Sequence, residues 1–271
     1  MQEIIKKLKR DLSIAGRTQE TINLYLNISQ KFLSRYKKIN EDNIKDYVFE
    51  LKEKGFSDNY LRLVHYILCK LAKIDKKDID IPPPKIEKMN INQPIFSFEE
   101  MKKLILSNKK YCDLQQKAYL VVSTIWGLRK IEILKIRKED IDKKRNTIII
   151  KTAKGGRPQE YTIPEVVKDI LYNYDWEEVS RARIYDIFKY ILYLCKFDLK
   201  KYIGYGFHSI RRALITEMLK NGIDNYTVAL WCRWSIPQFG MLPTYTHLVK
   251  EDLEKKVYPK HPFLKLWKQD Q

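Results

Sequence analysis

The chain has 271 residues, enough for one large domain or two ordinary ones, and its 44% hydrophobic content supports a real core and argues against wholesale disorder. Its formal net charge is +18, from 52 Lys and Arg against 34 Asp and Glu spread over the whole chain, which points to a polyanionic partner, nucleic acid first, or to a Lys-rich composition bias. No apolar run approaches the roughly 18 residues of a membrane span, and the charged start Met1-Gln2-Glu3-Ile4-Ile5-Lys6-Lys7 has no signal-peptide core, so the reading is a soluble cytoplasmic protein with no membrane partner.

Residues 3–14 read as a helix with Ile5, Leu8 and Leu12 on one face, ended by Gly16. Thr18 is a plausible N-cap for a second helix to about Tyr36, with Ile22, Tyr25, Ser29, Phe32 and Tyr36 at helical spacing. Asn40 can cap a third, with Ile44, Tyr47, Val48 and Leu51 inside and Gly55 beyond its end. Ser57 or Asp58 starts a fourth, with Leu61, Val64, Leu68 and Leu71 at steps of three, four and three. Four amphipathic helices with short turns make a bundle over residues 1–75. Its exposed faces carry many basic residues, including Arg17, Lys31 and Arg35. Any one alone reads as solvated surface; their number favours phosphate neutralisation.

From 76 to 95 the helical period stops, and Ile81-Pro82-Pro83-Pro84-Lys85 favours an extended, semi-rigid linker. It either runs over bound DNA or simply crosses the surface. The second domain is expected over 96–271. Ser97-Phe98-Glu99-Glu100 is a capping box ahead of a helix with Met101, Leu104 and Ile105. Residues 113–126 form a largely apolar helix broken by Gly127, and Arg129 begins another. The β-branched run Thr147-Ile148-Ile149-Ile150 reads as a strand, and Gln159-Glu160-Tyr161-Thr162-Ile163 as its hairpin return across Lys154-Gly155-Gly156-Arg157-Pro158. Helices are expected at about 164–173, 180–196, 208–221 and 224–233. The tail Val257–Trp267 is apolar enough to dock, on its own domain or on a neighbouring protomer.

The four cysteines are far apart and form no C-x-x-C or His/Cys cluster, so no metal is expected, and no Walker loop or G-x-G-x-x-G calls for a nucleotide cofactor. What stands out instead is His208-Ser209-Ile210-Arg211, a His and an Arg one helical turn apart, with Thr244-Tyr245-Thr246-His247 following.

In order and spacing these segments resemble the tyrosine recombinases. Gly127-Leu128-Arg129-Lys130-Ile131-Glu132-Ile133-Leu134 is similar to their G-L-R-x-x-E-L segment, and His208–Arg211 to their H-x-x-R. Leu230-Trp231-Cys232-Arg233-Trp234-Ser235 is similar to L-L-G-H-S, with Trp234 at the His/Trp position, and Thr244–His247 to the box that holds the nucleophile. Three departures stand: Arg212 where His is frequent, Arg233 where Gly is usual, and two prolines in Ile236–Pro243. The resemblance covers nearly the whole chain. It implies a mainly α fold: an N-terminal four-helix core-binding bundle plus an α-rich catalytic domain with a small antiparallel β-hairpin or sheet.

The roles follow the chemistry of cutting a phosphodiester without metal or other cofactor. Tyr245 would be the nucleophile, forming a 3′-phosphotyrosine. Arg129 and Arg211 would neutralise the phosphorane through planar, permanently charged donors. Lys154 on the hairpin would protonate the 5′-hydroxyl, and His208 would orient or deprotonate the nucleophile. Trp234 would reach the phosphate region through its indole N–H. Glu132, Arg212 and His247 would support these, and Arg17, Lys31, Arg35, Lys151 and Arg157 are the candidate DNA contacts. Expected partners are a double-stranded recombination site and further copies of the chain, as a tetramer on two duplexes. The function implied is site-specific recombination through a Holliday junction, integrating or excising a mobile element. A Xer-type resolvase, a non-catalytic DNA-binding accessory protein and a topoisomerase-like enzyme are the rivals.

Overall fold

The computed structural model describes residues 2–85, 93–152, 158–234 and 250–268. The chain divides into two compact units, Met1–Ile91 and Asn92–Gln271.

The first unit is a bundle of α1 (Gln2–Ile14), α2 (Gln19–Arg35), α3 (Glu41–Glu53) and α4 (Asp58–Ile74). Local chemistry starts three of them. The side chains of Thr18, Asn40 and Ser57 accept the backbone N–H of Thr21, Asn43 and Tyr60, meeting donors that the first helical turn leaves unpaired. Between α1 and α2 the chain reverses at Gly16, whose φ of 64° is open to glycine at little cost. The apolar stripes converge: Leu8, Leu12, Phe32, Ile44, Val64, Leu68 and Leu71 are all buried. Each such side chain contributes about 1.5–3 kcal/mol by leaving water. The stretch after α4 also packs here, with Ile79 and Ile81 against the bundle core, Lys77 Nζ donating to the Ile39 carbonyl at 2.8 Å, and His65 Nε2 lying 3.0 Å from the Ile81 carbonyl oxygen.

In the second unit, α5 (Phe98–Tyr111) opens on the Ser97/Glu100 capping box, and α6 (Leu114–Trp126) is buried along nearly its whole length. Helices α8 (Glu165–Asn173), α9 (Arg183–Leu194), α10 (Phe207–Lys220) and α11 (Asn225–Trp231) complete the main framework. The segment expected to start a helix at Arg129 makes a single turn, α7 (Lys130–Ile133).

The strand Thr147–Ile150 (β2) pairs antiparallel with Gln159–Thr162 (β3), Ile148 opposite Tyr161. A short strand, Ile141–Asp142 (β1), adds to the other side and makes the order β1-β2-β3. It was absent from the sequence expectation, since two residues carry no period.

Two tail helices, Lys250–Val257 and Leu264–Lys268, pack on their own unit. Leu253, Val257, Phe263, Leu266 and Trp267 join its core. Trp267 Nε1 donates to Thr124 Oγ1 at 3.1 Å, and Glu254 Oε1 accepts the Thr162 backbone N–H at 2.6 Å. The described part of the tail thus packs on the domain it ends. No helix among the described residues is long and apolar enough to cross a membrane.

Candidate active site

Gly127 ends α6 in the left-handed region, at φ 58°. A side chain there would be strained, and its Cβ would stand 3.1 Å from Leu214 Cδ2. That turn delivers Arg129 to the start of α7. Glu132, one turn later, folds back onto it: Oε2 accepts the Arg129 backbone N–H at 2.9 Å and Oε1 accepts from Nη1 at 2.7 Å. The carboxylate is fully buried while the Arg129 side chain keeps 23% exposure, so Glu132 holds the arginine from behind.

Arg211 rises from α10 into the same region and is 2% exposed. Its Nη1 donates to the Gly127 carbonyl and its Nη2 to the Cys232 carbonyl. Five N–H donors belong to a guanidinium, so two carbonyls fix its plane and leave donors of that plane for an anion. Burial pushes its pKa down to about 10, with Arg129 and Arg233 adding to the fall; it stays charged at neutral pH.

His208 stands in the first turn of α10, exposed, beside Arg212, Arg211 and Arg129. Desolvation first, and then those three cations, hold its pKa below the usual imidazole value. A neutral imidazole can accept a proton. The Arg211 guanidinium lies over the Trp234 ring, 5.8 Å from the ring centroid, and Trp234 remains 43% exposed. In this structure Trp234 lies against the arginine expected to hold the phosphate.

Arg233, at φ 55°, is a non-glycine residue in the left-handed region, which costs roughly 1–2 kcal/mol. Its side chain turns into the core. There Nη1 donates to the Tyr161 hydroxyl at 2.8 Å and the Trp231 carbonyl at 3.1 Å, and Nη2 to the Trp126 carbonyl at 3.0 Å and Glu132 Oε2 at 3.2 Å. Burial lowers its pKa, but the nearby Tyr161 and Glu132 outweigh this and the net shift is upward. Glu132 mirrors it: burial raises its pKa, and Arg233 with Arg129 brings the net below the ordinary carboxylate value. This link spans about a hundred residues of sequence. The one signal that marked it was an arginine standing where the family resemblance has glycine.

A cleft of about 440 Å³ opens beside Arg129 and His208, lined also by Pro94, Tyr185, Tyr205 and Arg212. Arg212 donates to the Pro94 carbonyl at 3.0 Å. Lys130 Nζ sits 3.8 Å from the centroid of the Tyr185 ring, a pair that sequence reading missed because α9 is distant in the chain.

The structure thus brings Arg129, Glu132, His208, Arg211, Arg212 and Trp234 together. Lys154, Arg157, Tyr245 and His247 lie outside the described residues. Arg17 and Lys31 are exposed on the bundle. Arg35 is engaged by Glu50 Oε1 at 2.5 Å, and Lys151, just past β2, by the buried Asp140 at 2.7 Å. No group of His, Cys, Asp and Glu able to hold a metal ion exists among the described residues.

No family model matches the chain. Among curated proteins, it is 26% identical over 243 residues to Tyrosine recombinase XerA of Thermococcus onnurineus, covering 83% of this chain and 84% of the relative. Against Tyrosine recombinase XerA of Saccharolobus solfataricus the identity is 24% over 263 residues, 90% of this chain and 88% of the relative. Among solved structures, the Tn1549 transposon integrase in complex with a circular intermediate DNA is similar at a TM-score of 0.66 and 12% identity, covering 93% and 98% of the two chains. A lambda integrase dimer bound to a COC′ core site reaches 0.63 at 14% identity, covering 87% and 92%. At these identities the structural likeness is one of fold, and it agrees with the mainly α architecture expected from the sequence.

Proposed function

We propose, from the premise that this chain is a tyrosine recombinase/integrase, that it is a site-specific recombinase that cuts and rejoins DNA strands. The observation that carries the reading is the pair of guanidiniums, Arg129 and Arg211, fixed beside His208 by a buried carboxylate and two backbone carbonyls. Such a constellation is built to hold one phosphate.

The roles proposed are these. Tyr245 Oη attacks the scissile phosphorus, the bond to O5′ breaks, and a 3′-phosphotyrosine forms. The proton on Tyr245 passes to His208 or water, and Lys154 supplies one to the departing 5′-hydroxyl. Arg129 and Arg211 carry the charge that grows on the phosphorane, a preorganised effect worth roughly 3–4 kcal/mol for one donor. Religation by the 5′-hydroxyl of a second duplex makes a Holliday junction, and a second round resolves it. The bond energy stays in the phosphotyrosine, so no external energy source is required.

The partner is double-stranded DNA carrying a recombination site, and the assembly a tetramer on two duplexes, in the cytoplasm of the cell that holds that DNA. One lambda integrase structure with this fold, at a TM-score of 0.59, is a tetramer bound to a Holliday junction. The first unit is proposed as the core DNA-binding domain, with Arg17 and Lys31 on phosphates.

The test is a nicked DNA substrate carrying the target, run on a denaturing gel. The wild-type chain forms a covalent adduct and Tyr245→Phe forms none. No adduct from the wild type, or an adduct from the variant, ends this reading. A second reading, dimer resolution of the Xer kind rather than integration, is favoured by the XerA names of the curated relatives. Comparing recombination between two sites on one circle with joining of two unlike sites decides between them.

A further inference from the structure

Arg233 is the least expected residue near the site. Its backbone is in a conformation where glycine is easy, and its side chain is buried among the carbonyls of Trp126 and Trp231, the Tyr161 hydroxyl and Glu132. The carbonyls and hydroxyl meet the Nη1 and Nη2 donors of the guanidinium, while its buried Nε has no hydrogen-bond partner among the described residues. They do not explain why a cation is there.

The charges do. Arg129 and Glu132 form a close pair at 2.7 Å. Alone, that pair sums to zero, and an anion reaching Arg129 would meet a carboxylate directly behind it. A second guanidinium on the other carboxylate oxygen, at 3.2 Å, changes the sum to +1. Glu132 and Arg233 are both buried, so this difference is screened less than it would be between surface charges.

We propose that Arg233 is a positioning residue for the strand-cutting reaction: by binding Glu132 Oε2 it offsets the buried carboxylate, so that Arg129 meets the scissile phosphate with its charge uncancelled. Arg233 touches no substrate; it acts through Glu132 on Arg129. The inference rests on the recombinase reading above and adds to it a residue that stands outside the resemblance to the family.

The experiment compares wild type, Arg233→Gly, and Arg233→Gly combined with Glu132→Gln, each as the full chain. Glycine suits the backbone at this position, but it leaves the buried Glu132 with one guanidinium fewer, so the fold of each variant is checked by circular dichroism. Single-turnover adduct formation on the nicked substrate is read beside equilibrium binding to the uncleaved site. The glycine variant should form adduct about 100-fold more slowly while its affinity changes by less than about threefold. The double variant, which removes the carboxylate charge as well, should recover at least about tenfold of that loss.

A glycine variant that cleaves at the wild-type rate overturns the proposal. So does an equal loss of binding and cleavage, or a double variant no faster than Arg233→Gly. Should the glycine variant lack the wild-type circular-dichroism spectrum, the comparison passes to Arg233→Lys, which keeps the charge. That variant should cleave within about tenfold of wild type; a greater loss, or failure to fold, assigns Arg233 to the core alone and overturns the proposal. Wild type and Tyr245→Phe run in the same assay. If they fail to differ, the recombinase reading falls; if they differ and Arg233→Gly matches wild type, only this inference falls.

Discussion

In the bundle, the buried polar side chains among the described residues are Ser29 and His65; in the second unit they include Glu132, Asp140, Arg211, Arg233 and His261. The bundle therefore rests on apolar volume, and its cations stay in water. The second unit spends its interior on charges and dipoles that hold one another at fixed angles. An apolar core accepts volume-conserving exchange with little loss. A buried polar network does not, since each unpaired member costs the full desolvation of its group. On the proposed reading, the contrast separates two ways of meeting phosphate: many solvated cations that would attract it, and a few largely buried ones that would aim at a particular atom.

The largest effect is expected where the dry set is broken. Arg211→Ala should slow adduct formation by about 10²–10³-fold, read in single turnover. It should also lower stability by about 1–3 kcal/mol, since the Gly127 and Cys232 carbonyls lose their donors. Unchanged cleavage would remove the site from the second unit's polar interior and dissolve the contrast.

The next effect is one of pH. His261 Nδ1 accepts the backbone N–H of Phe263 and Leu264, so its Nε2 carries the proton and donates to the Ile125 carbonyl at 2.9 Å. Burial pushes its pKa down to about 4. With the folded value below the unfolded one, the unfolded chain takes up the proton first. The contribution is complete above about pH 6.5 and is lost as pH falls toward 4, at up to about 1.4 kcal/mol per pH unit. His65 and His208, also lowered, add to the same slope. The readout is therefore the difference in urea midpoint between wild type and His261→Gln from pH 7 to 5, which should shrink as pH falls.

The smallest effect belongs to the bundle. Arg17→Ala or Lys31→Ala should weaken DNA binding alike at every sequence and reduce the slope of log affinity against log salt by about one. Arg35→Ala should change it less, because Glu50 already engages that side chain at 2.5 Å. A slope equal to wild type for Arg17 and Lys31 would return them to ordinary surface.

What the sequence made legible was what neighbours in the chain decide. Thr18, Asn40, Ser57 and Ser97 cap helices because each bonds a backbone group three residues on. The hairpin strands were legible from their β-branched run. In the site, the Glu132–Arg129 pair lies one turn apart and could be anticipated. The Glu132–Arg233 bond joins residues about a hundred positions apart, and no local pattern encodes it. Likewise Lys151 reads as a free cation until Asp140 is folded beneath it. The helix Lys250–Val257 was missed because its sequence, Lys-Glu-Asp-Leu-Glu-Lys-Lys-Val, shows just two apolar residues, both of which turn inward.

That tail helix has one more consequence. Among the described residues β3 is the last strand of its sheet, and an uncovered last strand can recruit a strand from another chain. Glu254 occupies the Thr162 N–H and the Tyr258 hydroxyl donates to the Thr162 carbonyl at 2.5 Å. The two contacts occupy both backbone groups of β3's final residue. The segment that completes the core thus also blocks further strand pairing at Thr162, in a protein whose proposed work brings copies of itself close together.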